Sequence, residues 1–226
     1  MSQTFAVYGS TMRVEILVGE MPQPIYRRKD DDMPFVEALL GRPYVIRVTP
    51  TFVNGRLEVI SSVDGSNTLK NEVANPIENH GMVISSPWEI TGFRLNQVET
   101  AQFVFGGTAG SVVEQATGST VNAGVIGLAS YREFQQFNQR EGPINYGLTR
   151  SKGGEGADAG THAGEARFDP VGTTTFRRAT LRPVEMLEIQ YRTRDWLVRN
   201  GIIASDDPSP WPGFRSNNTG YDILRK

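Results

Sequence analysis

Apolar and polar residues alternate with a period of two in several stretches of this chain. Met12–Val18 puts Val14, Ile16 and Val18 on one face and Arg13 and Glu15 on the other, the pattern of a half-buried strand. Tyr44, Ile46 and Val48 repeat it, as do Val98–Phe105 and then Leu187, Ile189 and Tyr191 within 186–192. Leu57–Val63 carries Val59 and Ile60, whose β-branches suit a pleated surface. Val125–Tyr131 is a short apolar run behind Gly124, as expected of a strand buried on both faces. Ile25–Arg28 fits a short edge strand, Met82–Ile84, Trp88–Phe93 and Thr175–Ala179 further strands, and Phe35–Leu40 the approach to a corner at Gly41-Arg42-Pro43.

Turn chemistry separates these runs. Asp64-Gly65 is a strong turn dipeptide because glycine accepts φ > 0 at no steric cost. Asn54-Gly55 is a second hairpin signal, between 44–48 and 57–63. Residues 64–81 form a long polar connection, and the Gly-, Thr- and Ser-rich 106–122 a loop. Residues 138–166 hold many glycines and few large apolar side chains, a long excursion that suits function or ordering against a partner. Thr193 is a good N-cap for one short helix over Arg194–Asn200, with Gly201 to end it.

The expected fold is all-β: a β-sandwich of roughly ten strands with long loops, one short C-terminal helix and extended terminal arms. The expected organisation is an N-terminal arm at 1–11, a sandwich domain at 12–204 and a Pro- and aromatic-rich arm at 205–226. The second arm has Pro208, Pro210 and Pro212 around Trp211, then Phe214, Tyr221 and Ile223 among polar residues. It cannot build its own core, yet it keeps apolar anchors. With Phe5 and Tyr8 of the first arm, these four are the expected partner-binding residues.

Composition narrows the function classes. In 226 residues, 24 Gly and 13 Pro fit many short strands better than long helices. The net charge of -2 leaves no electrostatic footprint for nucleic acid. Cys is absent, so no disulfide, thiolate nucleophile or Cys-based metal site can form. The N-terminus lacks the basic and apolar regions of a signal peptide, and no apolar run approaches the ~20 residues of a membrane helix.

Candidate chemistry is sparse, and neither a cofactor nor a metal is expected. Asp30-Asp31-Asp32 has no EF-hand spacing and reads as a solvated turn. Gly154-Glu155-Gly156-Ala157-Asp158-Ala159 matches G-x-G-x-x-A but lacks the strand before and helix after that the phosphate-binding motif needs. His80 and His162 are the only histidines, without metal-ligand spacing, and read as loop residues. Asp64 and Asn67 read as turn residues bonding local backbone. Trp88 reads as core, and Trp196 as packed on the sheet. The arginines between Arg177 and Arg199, interleaved with Glu185, Glu188 and Asp195, read as a mixed-charge surface for protein contacts.

Several short pieces stand in a particular order. They are Val63-Asp64-Gly65-Ser66-Asn67, Asn122-Ala123-Gly124-Val125-Ile126-Gly127, Thr161-His162-Ala163-Gly164-Glu165, Arg182-Pro183-Val184-Glu185 and Leu197–Ile203. Over about residues 12–214 the chain resembles a widespread family of uncharacterised bacterial and phage-related β-sandwich proteins. Their pattern is a strand ending V-D-G-x-N, a later N-x-G-V-I-G and a closing strand–helix pair. The resemblance implies one continuous domain and no activity. The family's G-T-G-H-G is here Gly160-Thr161-His162-Ala163-Gly164, a departure that weakens any site built on that loop's glycines.

The functional expectation is a non-enzymatic structural protein that oligomerises, a trimer being one fit. It would decorate or stabilise a larger assembly, above all a phage capsid. Its partners would be itself and a major capsid protein or another assembly subunit, with no nucleic acid and no membrane. Its location would be the virion, assembled in a bacterial cytoplasm, or else the cytoplasm. The alternatives are a soluble carbohydrate- or protein-binding module, and a hydrolase using His162 or His80.

Overall fold

The computed structural model describes residues 4–28, 32–52, 54–70, 72–117, 120–134 and 156–204. They form two sheets. The first holds β1 (Val7–Tyr8), β2 (Met12–Val18), β3 (Met21–Pro22), β6 (Pro43–Pro50), β10 (Trp88–Ile90), β11 (Gly92–Arg94), β12 (Glu99–Gly106) and β14 (Gly160–Phe168). The second holds β4 (Tyr26–Arg27), β5 (Pro34–Glu37), β7 (Leu57–Val63), β8 (Ser66–Asn67), β9 (Met82–Ile84), β13 (Val125–Arg132) and β15 (Glu185–Arg192). The long strands alternate between sheets along the chain: β6, β12 and β14 in the first, β7, β13 and β15 in the second.

One hydrophobic cluster fills the space between the sheets. Val14, Ile16, Ile46, Val48, Phe103 and Phe105 enter from the first, and Leu57, Val59, Val63, Ile126, Leu128 and Ile189 from the second. Register keeps these sets in phase, with Val14 opposite Val48 and Ile16 opposite Ile46. Tyr44 stacks on Phe105 with ring centroids 4.1 Å apart, next to Phe103 and Tyr191. The all-β sandwich expected from the alternation is the fold observed, with the short helix α2 (Arg194–Arg199) closing on Thr193 as its N-cap.

The Asp64-Gly65 turn is also as expected. Both residues have positive φ, 53° and 79°, and join Val63 to Ser66 in a two-residue hairpin between β7 and β8. Asn54-Gly55 does not make a hairpin. Strands β6 and β7 lie in opposite sheets, so this dipeptide turns an inter-sheet arch. The same signal serves both uses because it specifies backbone sign, not strand pairing.

Other expectations are corrected. Residues 34–37 form β5, which pairs in parallel with β15. A short helix, α1 (Val112–Thr117), lies inside the Gly/Thr/Ser-rich 106–122. The last part of the Gly-rich 138–166 is β14, which runs along β12 with a bulge between Ala101 and Phe103. Thr175–Ala179 is not a strand; Arg178 makes one isolated bridge to Glu133. In the N-terminal segment Thr4 bridges Ile25 and β1 pairs with β2. Residues 205–226 and 135–155 lie outside the described residues.

Candidate functional site

Three of the short pieces singled out in the sequence converge on one buried polar cluster. Asp64, in the β7–β8 turn, is fully buried. Its Oδ1 accepts hydrogen bonds from Tyr191 Oη at 2.5 Å and Gly124 N at 2.8 Å, and its Oδ2 accepts one from Thr161 N at 2.7 Å. Thr161 Oγ1 lies 2.6 Å from Tyr191 Oη and 2.7 Å from Tyr44 Oη. Tyr44 and Thr161 stand on β6 and β14 of the first sheet, and Tyr191 on β15 of the second. The cluster is therefore a polar tie across an otherwise apolar core.

Proton counting sets its direction. The carboxylate only accepts, so Tyr191 donates to it, Thr161 donates to Tyr191 and Tyr44 donates to Thr161. Burial pushes the Asp64 carboxyl up, the hydrogen bonds from Tyr191, Thr161, Val125 and Gly124 pull it back, and the balance stays above the ordinary carboxylate value. Burial, and then the charge of Asp64, hold Tyr44 and Tyr191 well above the usual phenol value, so both remain protonated. The expectation that Asp64 bonds local backbone is thus corrected, because its partners lie 60 or more residues away in sequence. Asn67 behaves as expected, accepting from Leu69 N and Lys70 N through Oδ1.

A second element of the site lies on the outer side of the second sheet. Helix α2 and the following turn cover one end of that face, where Leu197 and Ile203 pack with Phe35 and Met33. Arg192 is buried under this cover, 1% exposed, donating to the carbonyls of Gly124 and Tyr191 with its Cζ 5.3 Å from the Trp196 ring centre. The other end is held by Arg178. It pairs with Glu58 at 2.7 Å, donates to Ile77 O at 2.6 Å and stacks on Tyr131 at 3.9 Å. The mixed-charge surface expected for the arginines is corrected at these two residues, which act inside the fold.

Between the two covers runs a groove of about 620 Å³. Ile60 and Ser62 of β7, Gly127 and Ala129 of β13, and Met186 of β15 line it. Met33 and Pro34 stand at one wall, and Ala74 and Pro76 at the other. A Cβ on Gly127 would come 2.7 Å from Ser62 Oγ, so the glycine lets these two strands' outer faces sit level. Tyr8, 67% exposed, lies at the margin. No sequence signal announced this groove, because its lining comes from alternate residues of three distant strands that read only as the second face of a sandwich.

The residues singled out beforehand are scattered. Phe5 and Tyr8 are exposed at the N-terminal edge, whereas Trp211, Phe214, Tyr221 and Ile223 lie outside the described residues. His80 belongs to the second sheet's outer face, its side chain 75% exposed and its Nδ1 3.3 Å from Glu58 Oε1. His162 is on β14 of the first sheet, where its ring covers Gly106 and its Nε2 lies 3.0 Å from Gly107 O. Asp32 pairs with Arg27 at 2.8 Å, while Asp30 and Asp31 are outside the described residues. Asp158, from the G-x-G-x-x-A stretch, bonds the backbone N and hydroxyl of Thr193, and β14 follows it. Trp88 is half-buried against the core, and Trp196 stacks on Phe35 at 5.8 Å.

Among the described residues no three His, Cys, Asp or Glu side chains converge to hold a metal ion. None of their helices is long and apolar enough to cross a membrane. No family model, curated protein or solved structure matches the chain.

Proposed function

We propose that this chain is a non-enzymatic structural subunit that associates with copies of itself and decorates or stabilises a larger assembly, a phage capsid above all. The observation that carries this reading is the groove on the outer face of the second sheet, whose lining is largely apolar with Arg27, Asp32, Asn122 and Glu188 among it. The inter-sheet core is already complete without that face. A largely apolar groove left open beside the core marks an interaction surface. Exposed Phe5 and Tyr8, and the four apolar anchors of the C-terminal segment, supply matching side chains. The partners are then itself and a major capsid protein or another assembly subunit. The location is the virion, after assembly in a bacterial cytoplasm.

The test is the solution mass of the full chain and of one ending at Ala204, by light scattering on a sizing column. A stable oligomer that falls to monomers on truncation supports the reading. Two monomers of equal stability sink it.

The dimensions of the groove favour a second reading, a carbohydrate- or protein-binding module. Its volume lies within the ~300–1,000 Å³ typical of ligand sites, and an aromatic stands at its margin. On this reading Tyr8→Ala abolishes binding on a glycan or peptide array while the chain stays monomeric.

A further inference from the structure

The groove on the outer face of the second sheet has an occupant written into the chain. We propose that it seats the segment 205–226 of a neighbouring copy, with Trp211 and Phe214 as the inserted anchors. This rests on the assembly reading above and names the contact by which assembly occurs.

Four observations carry it. The described chain leaves the fold at the rim of the groove: Ile203 is buried in the cluster that includes Met33, and Met33 lines the groove wall. Twenty-two residues follow Ala204, from Ser205 to Lys226, and they carry two large aromatics in Trp211-Pro212-Gly213-Phe214. The lining suits such side chains, with Met186 38% exposed, Gly127 keeping the floor level, and Ile60 and Ala129 buried beside it where Phe176 packs on them. Trp211 is seven residues past Ala204, which gives it a reach of about 23 Å of extended chain at ~3.3 Å per residue.

An arm that leaves at the rim of its own groove needs only a facing rim to enter the next one. Each copy then gives one arm and receives one, and the set closes as a ring whose number is read from its mass. Aromatic anchors in an apolar, water-excluding seat are the residues that dominate such contacts. Polar Ser205-Asp206-Asp207 lies between the anchors and the fold, suited to cross the solvent gap.

The absence of native cysteine makes a direct test clean. Full-length Ser62→Cys chain is mixed with full-length Pro212→Cys chain and treated with a short bis-maleimide. Only contacts between copies can join position 62 to position 212. The expected result is a 62–212 product in clear excess over 62–62 and 212–212. It falls at least tenfold when Trp211→Ala is added to one chain or Met186→Arg to the other, with the melting temperature of each variant checked to show that it folds.

If the full chain is an oligomer by mass but 62–212 does not exceed the like pairs, this inference fails and the assembly reading stands. If the double Ser62→Cys/Pro212→Cys chain links only within itself, the arm sits at home and the inference fails as well. A full chain that is monomeric at every concentration overturns both.

Discussion

Tyr191 and Asp64 meet at 2.5 Å in the middle of the sandwich, 127 residues apart in sequence and each wholly removed from solvent. The phenol donates to a carboxylate that also takes the backbone N–H groups of Gly124 and Thr161, and that of Val125 at 3.4 Å. A buried carboxylate is tolerated only when its lone pairs are used. Removing the donor should therefore cost more than the bond itself. Tyr191→Phe leaves Asp64 Oδ1 one partner short and the Thr161 hydroxyl without its acceptor. The expected loss is about 1–3 kcal/mol, measured as a lower urea midpoint at unchanged slope. A midpoint within error of the parent would show that the tie is dispensable.

The same carboxyl predicts a pH dependence. Burial raises Asp64 in the folded state and the hydrogen bonds only partly reverse it, so the native protein holds this proton more tightly than the unfolded chain does. The group's contribution is then fully present below the unfolded value of about 3.9 and is lost as pH rises through the folded value. Asp64→Asn removes that slope, and asparagine tolerates the positive φ at this position. Relative to the parent, the variant should gain stability as pH rises through the acid range. Denaturation midpoints taken from pH 3 to 7 check it; a difference that is flat or falls with pH contradicts the assignment.

Glu58 has the opposite sign. Burial alone would raise it, but the Arg178 hydrogen bonds, the Gly81 N–H, the charge of Arg178 and the contact with His80 together outweigh burial and bring it below the ordinary value. Its contribution is present above the unfolded value of about 4.3 and lost as pH falls through the folded one. Arg178→Met should thus destabilise the protein at pH 7 and much less below the folded value. Urea midpoints at pH 7 and pH 3 make the comparison, and equal losses at both would refute it.

How much of this could be read beforehand follows from the range of each signal. Alternation within β2, β6 and β15 is local, and so the all-β class and the inward face of each strand were legible. So was the cap at Thr193, whose Oγ1 accepts from Trp196 N. The Asp64-Gly65 turn was legible too, but not what its carboxylate does, because the donors Gly124, Thr161 and Tyr191 come from the turn before β13, from β14 and from β15. Arg192 looked like surface, since nothing local marks an arginine whose guanidinium folds back onto Gly124 O and Tyr191 O. The sheet assignment was the hardest part, for Asn54-Gly55 specifies a reversal without saying whether it stays in one sheet.

Thr193 has more than one role at the start of α2. Its hydroxyl caps Trp196 N while its own proton goes to Asp158, tying the helix to the segment that leads into β14. Thr193→Ala removes both and should cost about 1–2 kcal/mol, whereas Thr193→Ser keeps both and should cost well under half as much. Equal losses for the two variants would place the effect in the methyl group and not in the cap.

Two glycines with positive φ separate backbone strain from crowding. Gly19 has φ 56° with open space around an added Cβ, so Gly19→Ala should cost only the left-handed conformation, about 1–2 kcal/mol. Gly124 has φ 75°, and there the same Cβ would stand 2.2 Å from Arg192 Nη1, 2.9 Å from Tyr191 O and 3.1 Å from Ala159 O. Two of those neighbours are backbone, and the third is a buried guanidinium held by its own hydrogen bonds. Arg192 Nη1 and Tyr191 N both donate to Gly124 O, so neither residue can retreat without disturbing that carbonyl. Gly124→Ala should therefore be the more damaging by at least about 1 kcal/mol, since overpacking adds ~1–3 kcal/mol to the conformational cost. Paired urea curves measure it. If the two alanines cost the same, the close approach at Gly124 is not what requires glycine there, and the position would be explained by its φ alone.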